Sequence, residues 1–372
     1  MKVRYSYLKQ QFEKADDLWS ELRSFVETGD FTLGKPLIEF ERKFARLMGV
    51  KHAIGVNSGT DAIKLALKAH GIGFGDEVIT AANTFVATVG AIAELGAIPV
   101  FVDCNDTFCM DVGLLENAIT SKTKAIVPVH FTGYMTDMRI LMPIAEKYGL
   151  VVIEDACQSI LGEIDGKKAG TWAAAGAFSL HPLKNLNVWS DGGLIVTDSD
   201  TLAQRLRLLR NHGLVDRDTV SLLGYNSRLD TIQAVVGNWL IPQTERIAES
   251  RISNAAYYDS AFNDIVGIDI PPRPPGFKIV YHLYVVFAEE RDELLDYCLK
   301  KGIDAKVHYP IPIYRQEGLA YLGYKKGDFP VSDDHASKII TFPCDQHLSV
   351  YELDYVIKTV KDFYQGFSCA VD

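Results

Sequence analysis

"MRILMPIAEKYGLVVIEDA" occupies residues 138–156 and contains the pattern that decides the fold. Its first part is helical in pattern, and its second part is a continuous apolar run that leads to Glu154 and Asp155. Strands that are apolar on both faces are typical of parallel sheets that helices cover on both sides. The stretch therefore predicts one helix–strand unit of an α/β domain.

The same alternation continues through the first two-thirds of the chain. Strand-like runs and helical segments follow one another, among them "HAIGVNS", "TDAIKLALKAHGI", "DEVITAA", "FVATVGAIAELG", "IPVFVDC", "KAIVPVH", "AGAFSL", "GGLIVTD" and "DTLAQRLRLLRNHG". Two of these helices are expected to end at Gly96 and Gly213. The order of the segments predicts a mostly parallel central sheet flanked by helices.

After Gly213 the pattern changes. A long helical segment, with a bend expected near Pro242, precedes the proline-rich connector "IPPRPPGF" and a set of shorter strand-like and helical segments. We predict a large domain over residues 1–250 and a smaller C-terminal α+β domain over residues 251–372.

The charge balance argues against a nucleic-acid-binding protein. The chain has 38 basic and 48 acidic residues, which gives a formal net charge of −10. Binding to nucleic acid needs a concentrated basic face. An anionic small ligand remains compatible, because a few local cations and backbone N–H groups can hold a phosphate.

The chain shows no targeting or membrane segment and no metal-like cluster. Charges interrupt the N-terminal residues, and no run approaches the roughly 18 apolar residues of a membrane span. The cysteines are scattered, which favours free thiols in a reducing cytoplasm over disulfides. They stand at positions 104, 109, 157, 298, 344 and 369. We expect a cytoplasmic protein without a metal site or a membrane partner.

"VNSGTDA" (residues 56–62) is the first candidate binding segment. A strand enters Ser58, Gly59 and Thr60, and a helix begins at once. The start of a helix offers free N–H groups to a phosphate, and Gly59 allows close approach of the backbone. The alternative is that Ser58 or Thr60 only caps the helix.

Asp155 is the second candidate, since ligands of open α/β sheets bind at the carboxyl ends of strands. A carboxylate there needs a cation, and a protonated heterocyclic nitrogen would serve. The alternative is an ordinary acid that caps the next helix.

"GAFSLHPLKNLNVWSDGG" (residues 176–193) contributes the third candidate, Lys184. Apolar neighbours would lower its pKa and make the amine a nucleophile. The alternative is a solvated surface lysine. A phosphate site, an acid and an isolated lysine beside three strands of one sheet are the groups that pyridoxal phosphate requires.

The sequence resembles the DegT/DnrJ/StrS sugar aminotransferases, which have fold type I of the pyridoxal-phosphate enzymes. The resemblance covers nearly the whole chain and rests on several ordered motifs. They include "GVKHAIGVNSGTDAIKLAL", "GDEVITAANTFVAT", "VPVHFTG", "IEDACQS", "FSLHPLKNLNVWSDGG", "GYNSRLDTIQA" and "VHYPIP".

This resemblance implies roles around the cofactor ring. Lys184 would form the Schiff base and later carry the proton, and Asp155 would pair with the ring nitrogen. Gln158 would hydrogen-bond the ring hydroxyl. Phe85 would stack on the ring face, with a core aromatic residue as the alternative.

The resemblance also implies how the phosphate is bound. The backbone of Gly59 and Thr60 and the hydroxyl of Ser179 would hold it. Asn226 would reach it from the neighbouring subunit, with Arg228 nearby, so the active unit would be a homodimer. Without the family comparison, this segment is a turn that precedes a helix.

The implied reaction moves an amino group from an amino acid, expected to be L-glutamate, to a keto carbon of a nucleotide-linked deoxysugar. The sequence "KNL…DGG" around Lys184 resembles that of members acting on 3-keto sugars, which favours C3 of the sugar over C4. His181, Arg228, Lys306 and His308 are candidate substrate contacts. The alternatives are a packed loop histidine for His181 and a solvated hairpin for Lys306 and His308.

Other functions on the same fold remain open. They are dehydration of a keto sugar, which relatives with histidine in place of the lysine perform, amination of a cyclitol ketone, and a non-catalytic sensory or regulatory role. Lys184 argues against the dehydratase, and the intact set of Lys184, Asp155 and Gln158 argues against the non-catalytic role.

Overall fold

A computed structural model describes residues 1–368 of the chain. Its helices are α1 (Leu8–Gln11), α2 (Asp16–Thr28), α3 (Lys35–Met48), α4 (Gly59–Ala69), α5 (Val86–Ala93), α6 (Met138–Tyr148), α7 (Asp200–Leu209), α8 (Thr231–Leu240), α9 (Thr244–Phe262), α10 (Arg291–Lys300), α11 (Pro330–Lys338) and α12 (Val350–Ser368). Its strands are β1 (His52–Val56), β2 (Glu77–Ala81), β3 (Ile98–Val102), β4 (Thr123–Val127), β5 (Val151–Asp155), β6 (Glu163–Ile164), β7 (Lys167–Lys168), β8 (Ala175–Ser179), β9 (Gly193–Thr197), β10 (Ile268–Asp269), β11 (Phe277–Lys278), β12 (Tyr284–Ala288) and β13 (Ile339–Phe342).

The central sheet has seven strands in the order β1-β9-β8-β5-β4-β2-β3. Strands β8, β5, β4, β2 and β3 pair in parallel. Strand β9 runs antiparallel to both β8 and β1, so β1 points in the same direction as β8. The carboxyl ends of these strands, β9 excepted, therefore meet at one edge of the sheet. The predicted mostly parallel α/β sheet is confirmed.

Strand β9 is antiparallel because it returns directly after β8. Residues 180–192 connect the two strands at the carboxyl edge of the sheet, without a helical crossover. This connection contains Lys184. The lysine is thus held between two paired strands, and both ends of its loop are fixed by the same sheet.

Apolar side chains cover both faces of the sheet. One cluster contains Phe40, Phe44 and Phe178 with parts of α3, α6 and α8, and another contains buried residues of α4, α5 and α7. Helices α5 and α7 end at Ala93 and Leu209, a few residues before the predicted stops. Gly96 and Gly213 instead adopt positive φ angles of 75° and 76° in the turns that follow.

The bend predicted near Pro242 is present as a 3₁₀ turn over Ile241–Gln243, between α8 and α9. The first part of α9 contributes Ile247 and Ala248 to the core of the large sheet. Its second part contributes Ala255, Tyr258 and Phe262 to a different core. The division expected near residue 250 thus falls inside a helix that belongs to both cores.

The C-terminal residues form a small antiparallel sheet, β10-β12-β13, with α10, α11 and α12 around it. The N-terminus joins this part of the fold, because Val3 bridges Ile303 in parallel and is fully buried in the same core. Residues 305–309 form no strand, and among them only Lys306 makes an isolated bridge, with Thr341. No helix among residues 1–368 is both long and apolar enough to cross a membrane.

Candidate active site

A cavity of about 320 Å³ opens at the carboxyl edge of the central sheet. The loops after β1, β2, β5 and β8 line one side of it, and residues of the C-terminal part of the chain line the other. The residues that line it include Ser58, Gly59, Thr60, Thr84, Phe85, Thr88, Asp155, Cys157, Gln158, Ser179, His181, Lys184, His282, His308 and Tyr309.

The start of helix α4 forms one wall of the cavity. Ser58 caps this helix, and its hydroxyl accepts from the N–H of Asp61 at 3.1 Å. Ser58 thus caps the helix, and the N–H groups of Gly59 and Thr60 lie at the helix start beside the cavity. A Cβ on Gly59 would lie 2.8 Å from both Cys157 Sγ and Ser179 Cβ. Only glycine fits between these two neighbours.

The "DGG" turn after the lysine loop packs against the same helix start. A Cβ on Gly193 would lie 2.3 Å from the carbonyl oxygen of Ser58 and 2.9 Å from the nitrogen of Gly59. The absence of a side chain thus lets strand β9 begin directly against the wall of the cavity. The first residue of strand β9 and the start of helix α4 are therefore in direct backbone contact.

Asp155 ends strand β5 and faces the cavity. Its Oδ2 accepts from the hydroxyl of Thr88 at 2.7 Å, and its Oδ1 accepts from the N–H of Cys157 at 3.2 Å. Thr84 in turn lies 2.9 Å from Thr88, oxygen to oxygen. Since the Thr88 hydroxyl donates to the carboxylate, Thr84 donates to Thr88, and this chain of hydroxyls orients the carboxylate.

Glu154 has a different role from its neighbour. Its side chain is fully buried and accepts from the N–H groups of Gly170, Trp172 and Ala173. It also lies 2.9 Å from Nε2 of the fully buried His130. Glu154 therefore fixes the loop that precedes β8, and only Asp155 of the two acids is available to a ligand.

Gln158 lies on the cavity wall beside Asp155. Its Oε1 accepts from the N–H of Thr132 at 2.8 Å. The amide NH₂ is consequently the part of this side chain that is left as a donor for a ligand in the cavity. Thr132 itself has a positive φ of 60°.

Lys184 brings its amine into the cavity. Burial lowers its pKa, and the neighbouring Cys157 and Asp155 oppose this change without cancelling it. The amine lies 3.4 Å from Nε2 of His282. The amine is therefore easier to deprotonate than that of a solvated lysine, which is what nucleophilic attack on a carbonyl needs.

Aromatic side chains line the mouth of the cavity. The ring of Phe85 is half exposed and lies 5.9 Å from the ring of Tyr309, centroid to centroid. His308 also lines the cavity, and its Nδ1 lies 2.9 Å from the hydroxyl of Thr341. Burial and the nearby Lys306 and Lys184 lower the pKa of His308 to about 4. Its imidazole is neutral at pH 7.

His181 lines the cavity from the lysine loop, and its Nδ1 accepts from the N–H of Leu183 at 3.3 Å. Burial and the charge of Lys184 lower the pKa of His181. Lys306 does not line this cavity. Its amine lies 3.6 Å from Asp304 and 4.9 Å from the ring centre of Tyr5.

Asn226 and Arg228 lie apart from the lysine. They line a separate polar pocket of about 200 Å³ that also contains Asn57. The guanidinium of Arg228 donates to Asn211 Oδ1 at 2.9 Å. Within one chain, therefore, these two residues do not meet the other predicted site residues.

The sequence patterns did not indicate Thr84, Thr88 or His282. The two threonines flank Phe85 in "NTFVAT" and could have been found from their spacing of four residues, which places them on one face of a helix start. His282 interrupts the apolar run "IVYHLYVVFA". A polar residue in such a run is the available indication, but its partner, 98 positions earlier, is not visible in the sequence.

These residues fit pyridoxal phosphate. The space that a side chain on Gly59 would fill lies beside the free N–H groups of helix α4 and the hydroxyl of Ser179, which suits a phosphate. The oriented carboxylate of Asp155 suits a protonated ring nitrogen, and the amine of Lys184 suits an aldehyde. All of these groups line one cavity.

Comparison with known proteins agrees with this geometry. The model of the DegT/DnrJ/EryC1/StrS aminotransferase family matches residues 13–361. A pleiotropic regulatory protein of Geobacillus stearothermophilus is 40% identical over 372 residues, which cover 99% of this chain and 100% of the relative. The dTDP-3-amino-3,4,6-trideoxy-alpha-D-glucose transaminase of Micromonospora megalomicea subsp. nigra is 37% identical, with 97% and 98% covered. The UDP-N-acetyl-3-dehydro-alpha-D-glucosamine 3-aminotransferase of Acidithiobacillus ferrooxidans is 36% identical, with 94% and 95% covered.

Solved structures show the same relationship. S. venezuelae DesV in complex with a ketimine intermediate superposes with a TM-score of 0.96 at 35% identity, with 98% of this chain and 99% of DesV covered. NtdA from Bacillus subtilis, with the cofactor pyridoxamine phosphate bound, has a TM-score of 0.91 at 29% identity, with 98% and 85% covered. The chain therefore belongs to the DegT/DnrJ/EryC1/StrS aminotransferase family and uses pyridoxal phosphate as its cofactor.

Proposed function

We propose that this aminotransferase moves an amino group from L-glutamate to the C3 keto carbon of a nucleotide-linked keto-deoxysugar. The observation that carries the proposal is the Lys184 amine, whose pKa burial lowers, in one cavity with Asp155 and the start of helix α4. The names of the relatives from Micromonospora and Acidithiobacillus support a nucleotide sugar and position 3.

The residues of the cavity would share the binding of the cofactor. The N–H groups of Gly59 and Thr60 and the hydroxyl of Ser179 would hold its phosphate. Asp155, fixed by Thr88, would keep the ring nitrogen protonated. When bound, the cofactor supplies an electron sink that allows a proton to leave the carbon next to the nitrogen.

Three further side chains would complete this arrangement. Gln158 would donate its amide NH₂ to the ring hydroxyl, since its oxygen is already bound to Thr132. Phe85 would cover one face of the ring. The amine of Lys184 would bind the aldehyde carbon of the cofactor. Once released, it would carry a proton between the substrate carbon and this aldehyde carbon.

The proposed active unit is a homodimer. Asn226 and Arg228 lie in a pocket apart from Lys184 within one chain, and in a dimer they would contribute to the partner's cavity.

His181 and His308 line the cavity and would contact the sugar. Lys306 does not line the cavity and would contribute only through its charge. Free thiols at the five cysteines within residues 1–368 support a cytoplasmic location, and Cys369 lies outside the described residues.

A regulatory role is the second candidate, because the Geobacillus relative is named a regulatory protein and a relative in Saccharopolyspora erythraea is named a sensory transduction protein. The presence of Lys184, Asp155 and Gln158 around one cavity favours turnover. A protein that only binds the cofactor without turnover has no chemical need for all three of these residues.

A two-step experiment tests the proposal. The protein is loaded with pyridoxal phosphate and titrated with L-glutamate, and we expect the visible absorption of the lysine-bound cofactor to convert to that of the amine form. Addition of a 3-keto nucleotide sugar should then restore the visible absorption, and a 4-keto analogue should do so more slowly. A spectrum that glutamate does not change would exclude the aminotransferase reaction with this donor, and the Lys184→Ala variant is the control.

A further inference from the structure

His282 is a buried histidine on the side of the cavity that the C-terminal part of the chain provides. Its Nε2 lies 3.4 Å from the amine of Lys184. Its Nδ1 is buried and has no hydrogen-bond partner within residues 1–368. Within residues 1–368, the amine of Lys184 is therefore the hydrogen-bond partner of the His282 ring.

We propose that His282 is a positioning residue, an uncharged hydrogen-bond acceptor that holds the Lys184 amine in place whenever this amine is not bonded to the cofactor. The proposal rests on the proposed function of Lys184. It adds a residue from the C-terminal part of the chain to the machinery that handles the proton.

The surroundings of His282 keep its ring neutral. Burial lowers its pKa well below the usual value, and four neighbouring groups, Lys184, Arg251, His308 and His181, act in the same direction. The lysine amine can donate in either protonation state, and the neutral ring accepts at Nε2 when its proton is on Nδ1. The ring can orient the amine, but it does not offer the negative charge of an acid.

This choice of side chain matters for the chemistry of Lys184. A carboxylate at the same distance would stabilise the charged amine and raise its pKa. Asp155 and Cys157 already act in this direction from the other side of the cavity, and burial outweighs them. A neutral imidazole fixes the direction of the amine and stabilises its charged form less than an acid would.

A chain of hydrogen bonds fixes the distance between the two residues. The guanidinium of Arg251 donates to the carbonyl of His282 at 3.3 Å and, through Nε, to Gln346 Oε1 at 3.0 Å. The amide of Gln346 donates to Gln11 Oε1 at 3.0 Å. These bonds connect the backbone of His282 to helix α1.

The same chain continues from helix α1 to the lysine loop. Gln11 Nε2 donates to Asn187 Oδ1 at 3.0 Å, and Asn187 Nδ2 donates to the carbonyl of Lys184 at 2.9 Å. Gln11 and Asn187 are both buried. The backbones of Lys184 and His282 thus belong to one network, which we call the Gln11 network (Arg251, Gln346, Gln11, Asn187).

The segment around His282 is also attached to the cofactor side of the cavity. The N–H of Leu283 donates to the carbonyl of Thr132 at 3.0 Å, and the N–H of Val280 donates to the carbonyl of Gly133 at 3.2 Å. Thr132 is the residue whose N–H binds Gln158. His282 is therefore placed by bonds on both of its sides.

Three variants test the proposal, each prepared as the full chain with and without cofactor. His282→Leu removes the acceptor, His282→Gln keeps a neutral acceptor, and His282→Glu introduces a charge. The first measurement uses the cofactor-free protein: the pH dependence of the modification of Lys184 by an amine-reactive reagent, followed by mass spectrometry of its peptide. We expect His282→Glu to raise the pKa of Lys184 and His282→Gln to leave it unchanged.

The second measurement is the glutamate half-reaction of the loaded protein. His282→Leu should lower its rate constant at saturating glutamate by about tenfold, the effect of one lost hydrogen bond, with the KM for glutamate unchanged. His282→Gln should recover most of this loss. The matched control is His335→Leu, since His335 is also buried with an unpartnered Nδ1 but packs against Phe108 and Phe287, outside the cavity lining.

The outcomes separate this proposal from the proposed function. If His282→Glu leaves the pKa of Lys184 unchanged, or if His282→Leu turns over glutamate at the wild-type rate, the positioning role is excluded. If glutamate converts no cofactor in any form of the protein, the proposed donor is wrong. The modification of Lys184 in the cofactor-free protein still measures its contact with His282 in that case.

Discussion

The hydroxyl of Thr88 lies 2.7 Å from a carboxylate oxygen of Asp155 and joins helix α5 to the end of strand β5. Both residues are buried, with exposed fractions of 0% and 6%. In a buried site, a hydroxyl that donates to a carboxylate fixes the direction of that carboxylate as well as stabilising it. The direction of this acid in the cavity therefore depends on helix α5, which follows strand β2 of the same sheet.

Replacement of Thr88 by valine tests this dependence. Valine keeps the shape of the side chain and removes the donor, so we expect cofactor affinity to fall by about tenfold or more, as for the loss of a hydrogen bond to a charged group. The Kd for pyridoxal phosphate is measured by fluorescence titration. Thr88→Ser keeps the hydroxyl and should bind almost as the wild type does, and equal Kd values for the valine and wild-type proteins would contradict the prediction.

Gly59→Ala should destabilise the fold and weaken cofactor binding. The added Cβ would meet Cys157 and Ser179 at 2.8 Å, and overpacking of this kind costs about 1–3 kcal/mol. Chemical denaturation of the cofactor-free protein measures the loss. Gly90→Ala is the control, because a Cβ there meets no atom within 4 Å inside helix α5, and it should stabilise the protein by about 0.5–1 kcal/mol. If Gly59→Ala is as stable as Gly90→Ala, the steric argument is refuted.

Lys184→Met should stabilise the cofactor-free protein at neutral pH. Burial lowers the pKa of this lysine below its ordinary value of 10.5, so the unfolded chain binds a proton more readily than the folded chain does. The lysine therefore costs stability below its folded pKa, by about 1.4 kcal/mol for each pH unit between the folded and unfolded pKa.

The advantage of methionine should shrink as the pH rises from the folded pKa toward 10.5 and vanish above it. Urea denaturation at several pH values measures the difference. Lys325→Met replaces an exposed lysine and should leave the pH dependence unchanged. A Lys184→Met variant that is less stable than the wild type at pH 7 would show that the amine is not destabilised by burial.

Glu154→Leu should cost at least about 3 kcal/mol of unfolding free energy, because it leaves three N–H groups and the buried His130 without their acceptor. Thermal or chemical unfolding measures the change. Glu163→Leu, which removes a partly exposed ion pair with Lys278 at 3.3 Å, should cost less than about 1 kcal/mol. Similar losses for the two variants would contradict the structural role of Glu154.

The sequence predicted the features that depend on local pattern. The strand that ends at Asp155, the helix that begins after Ser58 and the bend at Pro242 are all confirmed. Each of them rests on periodicity, on a capping residue or on proline, which act over a few positions. The meeting of Gly59, Asp155 and Lys184 at one edge also follows, because parallel strands bring their carboxyl ends together.

Features that depend on distant contacts were not visible in the sequence. The direction of β9 follows from the direct return after β8, and hydrophobicity alone does not distinguish it from a parallel strand. The contact of His282 with Lys184 joins two parts of the fold. Lys306 carries a charge that would attract a nucleotide, but it does not line the cavity, and its amine lies 3.6 Å from Asp304.

The Gln11 network gives the amino-terminal residues an influence on chemistry that their positions do not suggest. Apart from Tyr5, none of residues 1–11 lines the cavity, yet Gln11 connects the loop of the lysine to the segment of His282. Removal of the first helix, or a fusion that displaces it, would therefore loosen the loop that holds Lys184. An affinity tag is therefore better placed where it does not displace helix α1.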